Sequence, residues 1–171
     1  MATLQPKPVS ASRTTLAQLM QPQHANNLGT VHGGVIMKLV DEVGAIACVR
    51  HAGHRVVTVA IDQMMFQHPI RIGHLVILTA EVSYAGRTSM EAEVQVVAEN
   101  PITGEQVHTN TAYVVYVAVD ENGRPVPVPP LELETEAQRE RFEQAQARQA
   151  FRLHQREQAR RAYASDKESD A

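Results

Sequence analysis

Between residues 33 and 51 the chain carries a run that is apolar almost all round, from Val35 to Val49, interrupted only by Lys38, Asp41 and Glu42. Those charges stand at i, i+3 and i+4, so they fall on one narrow stripe of a helix. The run is too long for a strand and too short for a membrane span. A helix apolar on its other sides has to be wrapped by other structure. Downstream the period becomes strand-like. Residues 55–61 are dense in β-branched side chains, as in a buried strand. Residues 75–84 follow Gly73, Gly86 breaks them, 90–98 come next with alternation over 90–96, and 107–119 form the last long strand. Residues 100–104, Asn-Pro-Ile-Thr-Gly, have turn chemistry. Ahead of the helix, 15–20 predict a short entering strand and 21–31 a loop. The pattern predicts an α+β fold, an antiparallel meander curled round one central helix. Such a sheet leaves an edge open, which predicts pairing with a second copy.

The ends of the chain read differently. Pro6, Pro8 and a Ser/Thr-rich stretch predict a flexible N-terminus over 1–14, before a domain spanning 15–130. Pro125, Pro127, Pro129 and Pro130 end that domain, because repeated prolines cannot continue a central strand. A helical extension then occupies 131–171. Thr135 and Gln138 fit a capping box. The helix is expected to run to about Tyr163, roughly 40 Å, docking through Phe142 and fraying towards Asp170. Arg148, Arg152, Arg156 and Arg160 form a basic stripe, which suits either a solvated face or contact with a phosphate or a partner.

Composition narrows the function classes. Of 171 residues 43% are apolar, enough for a core, and with aromatics at 4% that core is built from aliphatic side chains. A net charge of −3 speaks against a nucleic-acid binder. The one cysteine, Cys48, has no internal disulfide partner and sits among small apolar residues, so it reads as a buried hydrophobe. No signal-like or membrane-length apolar run occurs, which makes the cytoplasm the expected location and a membrane partner unexpected. The histidines bring no metal expectation: His51 and His54 are three apart, but no cysteine or carboxylate constellation accompanies them. Walker and dinucleotide fingerprints are absent.

The loop before the helix reads Asn26-Asn27-Leu28-Gly29-Thr30-Val31-His32-Gly33-Gly34, with Asp41 further along the same helix. This closely resembles the hotdog-fold acyl-CoA hydrolases of the cytosolic (brain-type) acyl-CoA hydrolase family and their single-domain bacterial relatives. Ile70-Arg71-Ile72-Gly73, Ser89-Met90-Glu91, Pro125 to Pro129 and Arg141-Phe142-Glu143 carry the likeness further, over about residues 15 to 150. The animal relatives carry two fused domains and this chain has one, so one domain must supply every site residue. The resemblance implies hydrolysis of fatty acyl-CoA to fatty acid and coenzyme A, with no cofactor, since coenzyme A belongs to substrate and product. It also implies a homo-oligomer, a dimer at least and a trimer of dimers in many relatives.

Thioester hydrolysis needs a stabilised oxyanion and a base or nucleophile beside the carbonyl. His32, Gly33 and Gly34 sit where open N–H groups and the positive helix end point outward, and glycine admits a ligand close to the backbone. That suits an oxyanion hole, although glycines that merely fit a tight loop would give the same spacing. Asp41 lies seven residues beyond Gly34, and a carboxylate on an apolar helix must face water, a partner or a site. The family places a catalytic carboxylate there, as base or nucleophile; Glu42 is the adjacent competitor. Asn26 fits the family's Asn-x-x-Gly spacing better than Asn27, and its amide can orient water or thioester. In the family these groups meet across a dimer, which implies Asn26 and the Gly34 amide from one copy and Asp41 from the other. Arg71, Arg87, Thr88 and Ser89 are candidates for coenzyme A phosphates, or simply solvated turn residues. Val57, Thr58 and Val59 flank the pantetheine or acyl channel by the same analogy. Two other readings share the fold: an enoyl-CoA hydratase or dehydratase using His32, and a non-catalytic acyl-CoA sensor.

Overall fold

The computed structural model describes residues 4–62 and 64–169, with side chains as far as residue 161. It divides into two compact units, residues 1–134 and 135–171. The first unit contains β1 (Lys7–Pro8), β2 (Thr14–Leu19), α1 (Gly33–Ala52), β3 (Arg55–Ile61), β4 (Leu75–Ala85), β5 (Ser89–Glu99), β6 (Gln106–Val119) and β7 (Leu131–Glu132). Five strands form one sheet in the order β2-β4-β5-β6-β3, antiparallel throughout, and β1 pairs with β7 in parallel. The meander around a helix expected from the sequence is therefore present. Val40, Val43, Ala47 and Cys48 of α1 are fully buried, with Leu78 and Val82 of β4, Val94 of β5 and Val114 of β6 in the same core. Burying each larger aliphatic side chain of this kind contributes about 1.5–3 kcal/mol.

Both ends of α1 are fixed by identifiable groups. His32 caps the start with its side chain. At the far end Gly53 takes the left-handed conformation, φ 68°, and donates its N–H to the Val49 carbonyl at 2.8 Å, which a residue with a Cβ would adopt only under strain. The Lys7 ammonium donates to the His51 carbonyl at 2.9 Å, a cation placed at the negative helix end.

That lysine explains a first correction. The loose stretch expected over 1–14 is ordered from Lys7 onward: β1 pairs with β7, Val9 and Ser12 are buried, and the Ser12 hydroxyl accepts the Val82 N–H at 3.0 Å. The domain edge expected at 130 shifts for the same reason. β7 belongs to the first unit, and Glu134 accepts from the N–H and hydroxyl of Ser10, both at 2.8 Å. A second correction concerns α1. Its apolar surface is not wrapped on all sides, since Met37, Ile46 and Val49 stay about two-fifths exposed. The edge strand β3 also exposes Val57, Val59 and Ile61.

In the second unit, α2 spans Glu136–Ser169, beyond the end expected near Tyr163. The capping box forms as predicted: the Gln138 N–H donates to Thr135 Oγ1 at 3.2 Å and the Thr135 N–H to Gln138 Oε1 at 3.3 Å. Among the described residues no helix is long and apolar enough to cross a membrane.

Candidate active site

The loop that delivers the chain into α1 is organised by Asn26. Its Oδ1 accepts the N–H groups of Leu28 at 2.8 Å and Thr30 at 3.2 Å, and its Nδ2 donates to Thr30 Oγ1 at 2.9 Å. This is an Asx-type turn, so most of the hydrogen-bonding capacity expected to meet a substrate is spent on the loop, leaving one Nδ2 hydrogen. Asn27 is exposed beside it.

At the helix start, His32 Nδ1 accepts the Gly34 N–H at 2.9 Å. The imidazole nitrogen replaces the Ser, Asp or Asn oxygen that usually occupies an N-cap. The Gly34 amide, expected to be open, is therefore engaged by its own neighbour. Because Nδ1 accepts, the proton of the neutral ring resides on Nε2. The ring fits only because Gly34 has no side chain: a Cβ there would stand 3.0 Å from His32 Nδ1. Gly33 lies against Phe66, whose Cζ would be 3.4 Å from an added Cβ. A cleft of about 310 Å3 opens here, lined by Thr30, Gly33, Ile36, Phe66 and Ile70 among others.

Two turns along α1, Asp41 leaves the charged stripe. Lys38 and Glu42 pair with each other at 3.6 Å on the exposed face, whereas the half-buried Asp41 turns to the sheet. Its Oδ1 accepts the Thr58 hydroxyl of β3 at 2.7 Å. Tyr116 of β6 adds a second hydroxyl, 2.8 Å from the Asp41 carbonyl and 3.3 Å from Oδ1. No hydrogen bond reaches Oδ2 among the described residues. The register explains the meeting: Thr58 pairs with Tyr116, so both face the helix. A bulge follows between Thr58 and Ala60, making Val59 the inserted residue, and bulges of this kind re-aim side chains. Val57, next to Thr58 on the strand, points to the opposite face.

The remaining candidates separate into two groups. Ser89, Val117 and Val57 share one row of the sheet, next to the row of Thr58 and Tyr116, so the Arg87–Ser89 turn sits level with Asp41. That turn is pinned by its carbonyls, Arg87 accepting from the Val128 N–H and Thr88 from the Ala118 N–H. Arg71 bridges to Thr30 beside the helix start and lines a more polar cleft of about 320 Å3 with His68, His74, Asn100 and Glu105. It lies near the other end of β5, about 30 Å away at 3.3 Å per residue. Within one chain, then, Asn26, His32, Gly33, Gly34 and Arg71 cluster at one place. Asp41 meets Thr58 and Tyr116 at another, and the 87–89 turn lies at the same level of the sheet, two strands from Thr58. Cys48 belongs to neither: it is fully buried, and burial pushes its thiol well up, away from the reactive thiolate. Among the described residues no group of three His, Cys, Asp or Glu side chains could hold a metal ion.

Tyr116 escaped the sequence reading, since it sits in a strand with nothing local to single it out. The visible signal was Gly44. A glycine inside an otherwise good helix is costly and marks a close approach, and a Cβ at Gly44 would stand 2.6 Å from the Tyr116 hydroxyl.

Comparison with known proteins places this geometry in context. The model of the Thioesterase superfamily matches residues 28–105. Protein VdlD of Helicobacter pylori is 37% identical over 145 residues, 84% of this chain and 83% of that protein. An apo-hexameric acyl-CoA thioesterase of known structure aligns with a TM-score of 0.85 at 39% identity, covering 89% of this chain and 97% of its own. The acyl-CoA hydrolase of Staphylococcus aureus, solved with butyryl coenzyme A, coenzyme A and coenzyme A disulfide, aligns with a TM-score of 0.84 at 31% identity, covering 91% and 95%. That hydrolase has also been solved with single alanine replacements of an asparagine, an aspartate and a threonine. Those three positions are separated by 15 and then 17 residues, the separations of Asn26, Asp41 and Thr58 in this chain.

Proposed function

The chain belongs to the thioesterase superfamily and has its hotdog fold, and on that premise we propose that it hydrolyses acyl-CoA to a free carboxylic acid and coenzyme A. The observation that carries this reading is the Asp41 carboxylate, held on an otherwise apolar helix by the Thr58 hydroxyl with Oδ2 left to act. In this mechanism Oδ2 takes a proton from water as the water oxygen attacks the thioester carbonyl. The carbonyl electrons move onto oxygen, which is met by N–H groups at the α1 start. Collapse expels the coenzyme A thiolate, which takes the proton held on Oδ2 and so restores the carboxylate. The Gly34 N–H joins the oxyanion by exchanging the His32 ring for a charged acceptor, which makes the stronger hydrogen bond. His32 is thus a removable cap, and Asn26 holds the loop that aims the amides. The step draws on no cofactor beyond coenzyme A itself.

One copy is not enough for this chemistry. Gly34 and Asp41 are seven residues apart, about 10 Å along α1, whereas oxyanion donors have to approach within about 3 Å. The two clusters therefore come from two copies: Asn26, His32, Gly33, Gly34 and Arg71 from one, Asp41, Thr58 and the Arg87, Thr88 and Ser89 turn from the other. Coenzyme A phosphates meet Arg71 or the 87–89 turn, and Val57 and Val59 border the channel. The open β3 edge and the uncovered Met37, Ile46 and Val49 of α1 supply the apolar interface. Three such dimers would give the hexameric state of the solved relative. A reducing cytoplasm fits a coenzyme A substrate and a lone buried cysteine.

Thiol release from a panel of acyl-CoAs tests the reading. Wild type should release thiol, and Asp41→Ala should lower turnover about 10²–10⁴-fold. No release from any chain length would overturn it in favour of a hydratase or an acyl-CoA sensor. Co-expressed Asn26→Ala and Asp41→Ala chains should recover about a quarter of wild-type activity in mixed dimers, because half of random pairs hold one intact site. Activity no higher than either variant alone would refute the shared site.

A further inference from the structure

Tyr116 is fully buried, yet its hydroxyl emerges from the core at one place, against Asp41. It reaches that place through a notch. Gly44 lies three residues beyond Asp41 on α1, and a methyl group there would overlap the hydroxyl at 2.6 Å and crowd the ring at 3.3 Å. The hydroxyl proton points first to the Asp41 carbonyl at 2.8 Å and more weakly to Oδ1 at 3.3 Å. In an α-helix that carbonyl also accepts the Ala45 N–H, so the phenol adds a second donor to it. One phenol thus grips the helical rung from which the carboxylate springs, while Thr58 grips the carboxylate itself.

Resting on the hydrolase reading above, we propose that Tyr116 is a positioning residue for Asp41, and that Gly44 is present to admit its hydroxyl. Without the phenol, the Asp41 backbone is an ordinary helical position and Oδ1 is restrained by Thr58 alone. Thr58 lies immediately before the β3 bulge, whereas Tyr116 is fixed in the inner strand β6 with its ring in the core. With the phenol, the residue is held from the buried central part of the sheet, and Oδ2 is directed consistently outward. Burial first, and the neighbouring carboxylate second, push the Tyr116 phenol well up. It keeps its proton and remains a donor at every working pH.

The chemistry of the notch gives the test. Tyr116→Phe removes one oxygen and keeps the ring that fills the core. Steady-state kinetics with an acyl-CoA that the wild type hydrolyses should show kcat lowered about tenfold, the low end for a hydrogen bond to a charged group. KM should stay within about twofold, with the oligomer unchanged. Gly44→Ala should lower kcat comparably by displacing the hydroxyl. In the Tyr116→Phe background the same methyl meets only the ring and should add less than about a twofold further loss. A Gly44→Ala chain that fails to fold alone but folds with Tyr116→Phe supports the notch equally. In an Asp41→Asn background, Tyr116→Phe should change residual turnover little. Unchanged kcat in Tyr116→Phe, a rise in KM with kcat intact, or multiplying losses in the double variant would each overturn the inference while leaving the hydrolase reading standing. Absence of turnover in the wild type would remove both.

Discussion

The two ends of α1 use the same residue type in opposite senses. At the start, His32 is exposed and accepts: its Nδ1 takes the Gly34 N–H as the side-chain cap of the helix. At the end, His51 is fully buried and donates: its Nε2 lies 2.8 Å from the Pro129 carbonyl, while Lys7 covers its own carbonyl. Among the described residues His51 Nδ1 has no partner, so a second ring proton would be stranded there. The first end is capped by one exchangeable side-chain bond, and the second is held by a buried bond from His51 with a part-buried one from Lys7 beside it. Under the proposed mechanism, a helix that offers its amides to a substrate would keep its start negotiable and its far end permanent.

Mutations can break this contrast. The largest effect is expected from His51→Ala, which opens a cavity and strands the Pro129 carbonyl. Urea unfolding at fixed protein concentration should show a loss of about 2–4 kcal/mol, with turnover per folded molecule nearly unchanged. Next comes pH. Burial, ahead of the nearby Lys7 charge, holds the His51 imidazole below its ordinary value. The unfolded chain therefore binds a proton at about pH 6.5 that the native state does not yet take. Stability should be full above that pH and fall as pH drops below it, by up to about 1.4 kcal/mol per unit, until the native ring also protonates. The slope should flatten in His51→Leu; an identical slope in that variant would assign the dependence elsewhere. His32→Ala should cost about 1 kcal/mol, and His32→Asn should recover most of it because asparagine caps well. Turnover should fall in His32→Ala and not in His51→Ala; equal losses would erase the contrast. Smallest is Lys7→Met, about 0.5 kcal/mol by thermal or urea unfolding, since the charge–dipole contact is partly solvated.

Much of this was legible in the chain because its long elements are periodic. The apolar run of α1, the alternation of β5 and the turn from Asn100 to Gly104 each declare themselves within a few residues. Two-residue strands do not. Lys7–Pro8 and Leu131–Glu132 are too short to display any period, so the ordered N-terminus and the true edge of the first unit were hidden. In the candidate site, the preference for Asp41 over Glu42 came from its register in the resembled motif, but the way the two side chains part was not legible. That depended on Thr58 and Tyr116 arriving 17 and 75 residues later in the chain. The His32 cap was likewise invisible, because histidine is not among the usual capping residues. Arg71 and Arg87 read as one phosphate handle until the length of β5 put them apart.

The β1–β7 pairing also governs when this protein can fold. Lys7 waits for Leu131, and β3 waits for β6, where Arg55 pairs with Val119. A chain emerging from the ribosome must therefore carry its first strand without a backbone partner until nearly the whole first unit has been made. Closing such distant ends is the slow part of folding. During synthesis the valine-rich strands are exposed in an order that invites contact with neighbouring nascent chains. Completion of the first unit is thus an event of the last stage of synthesis.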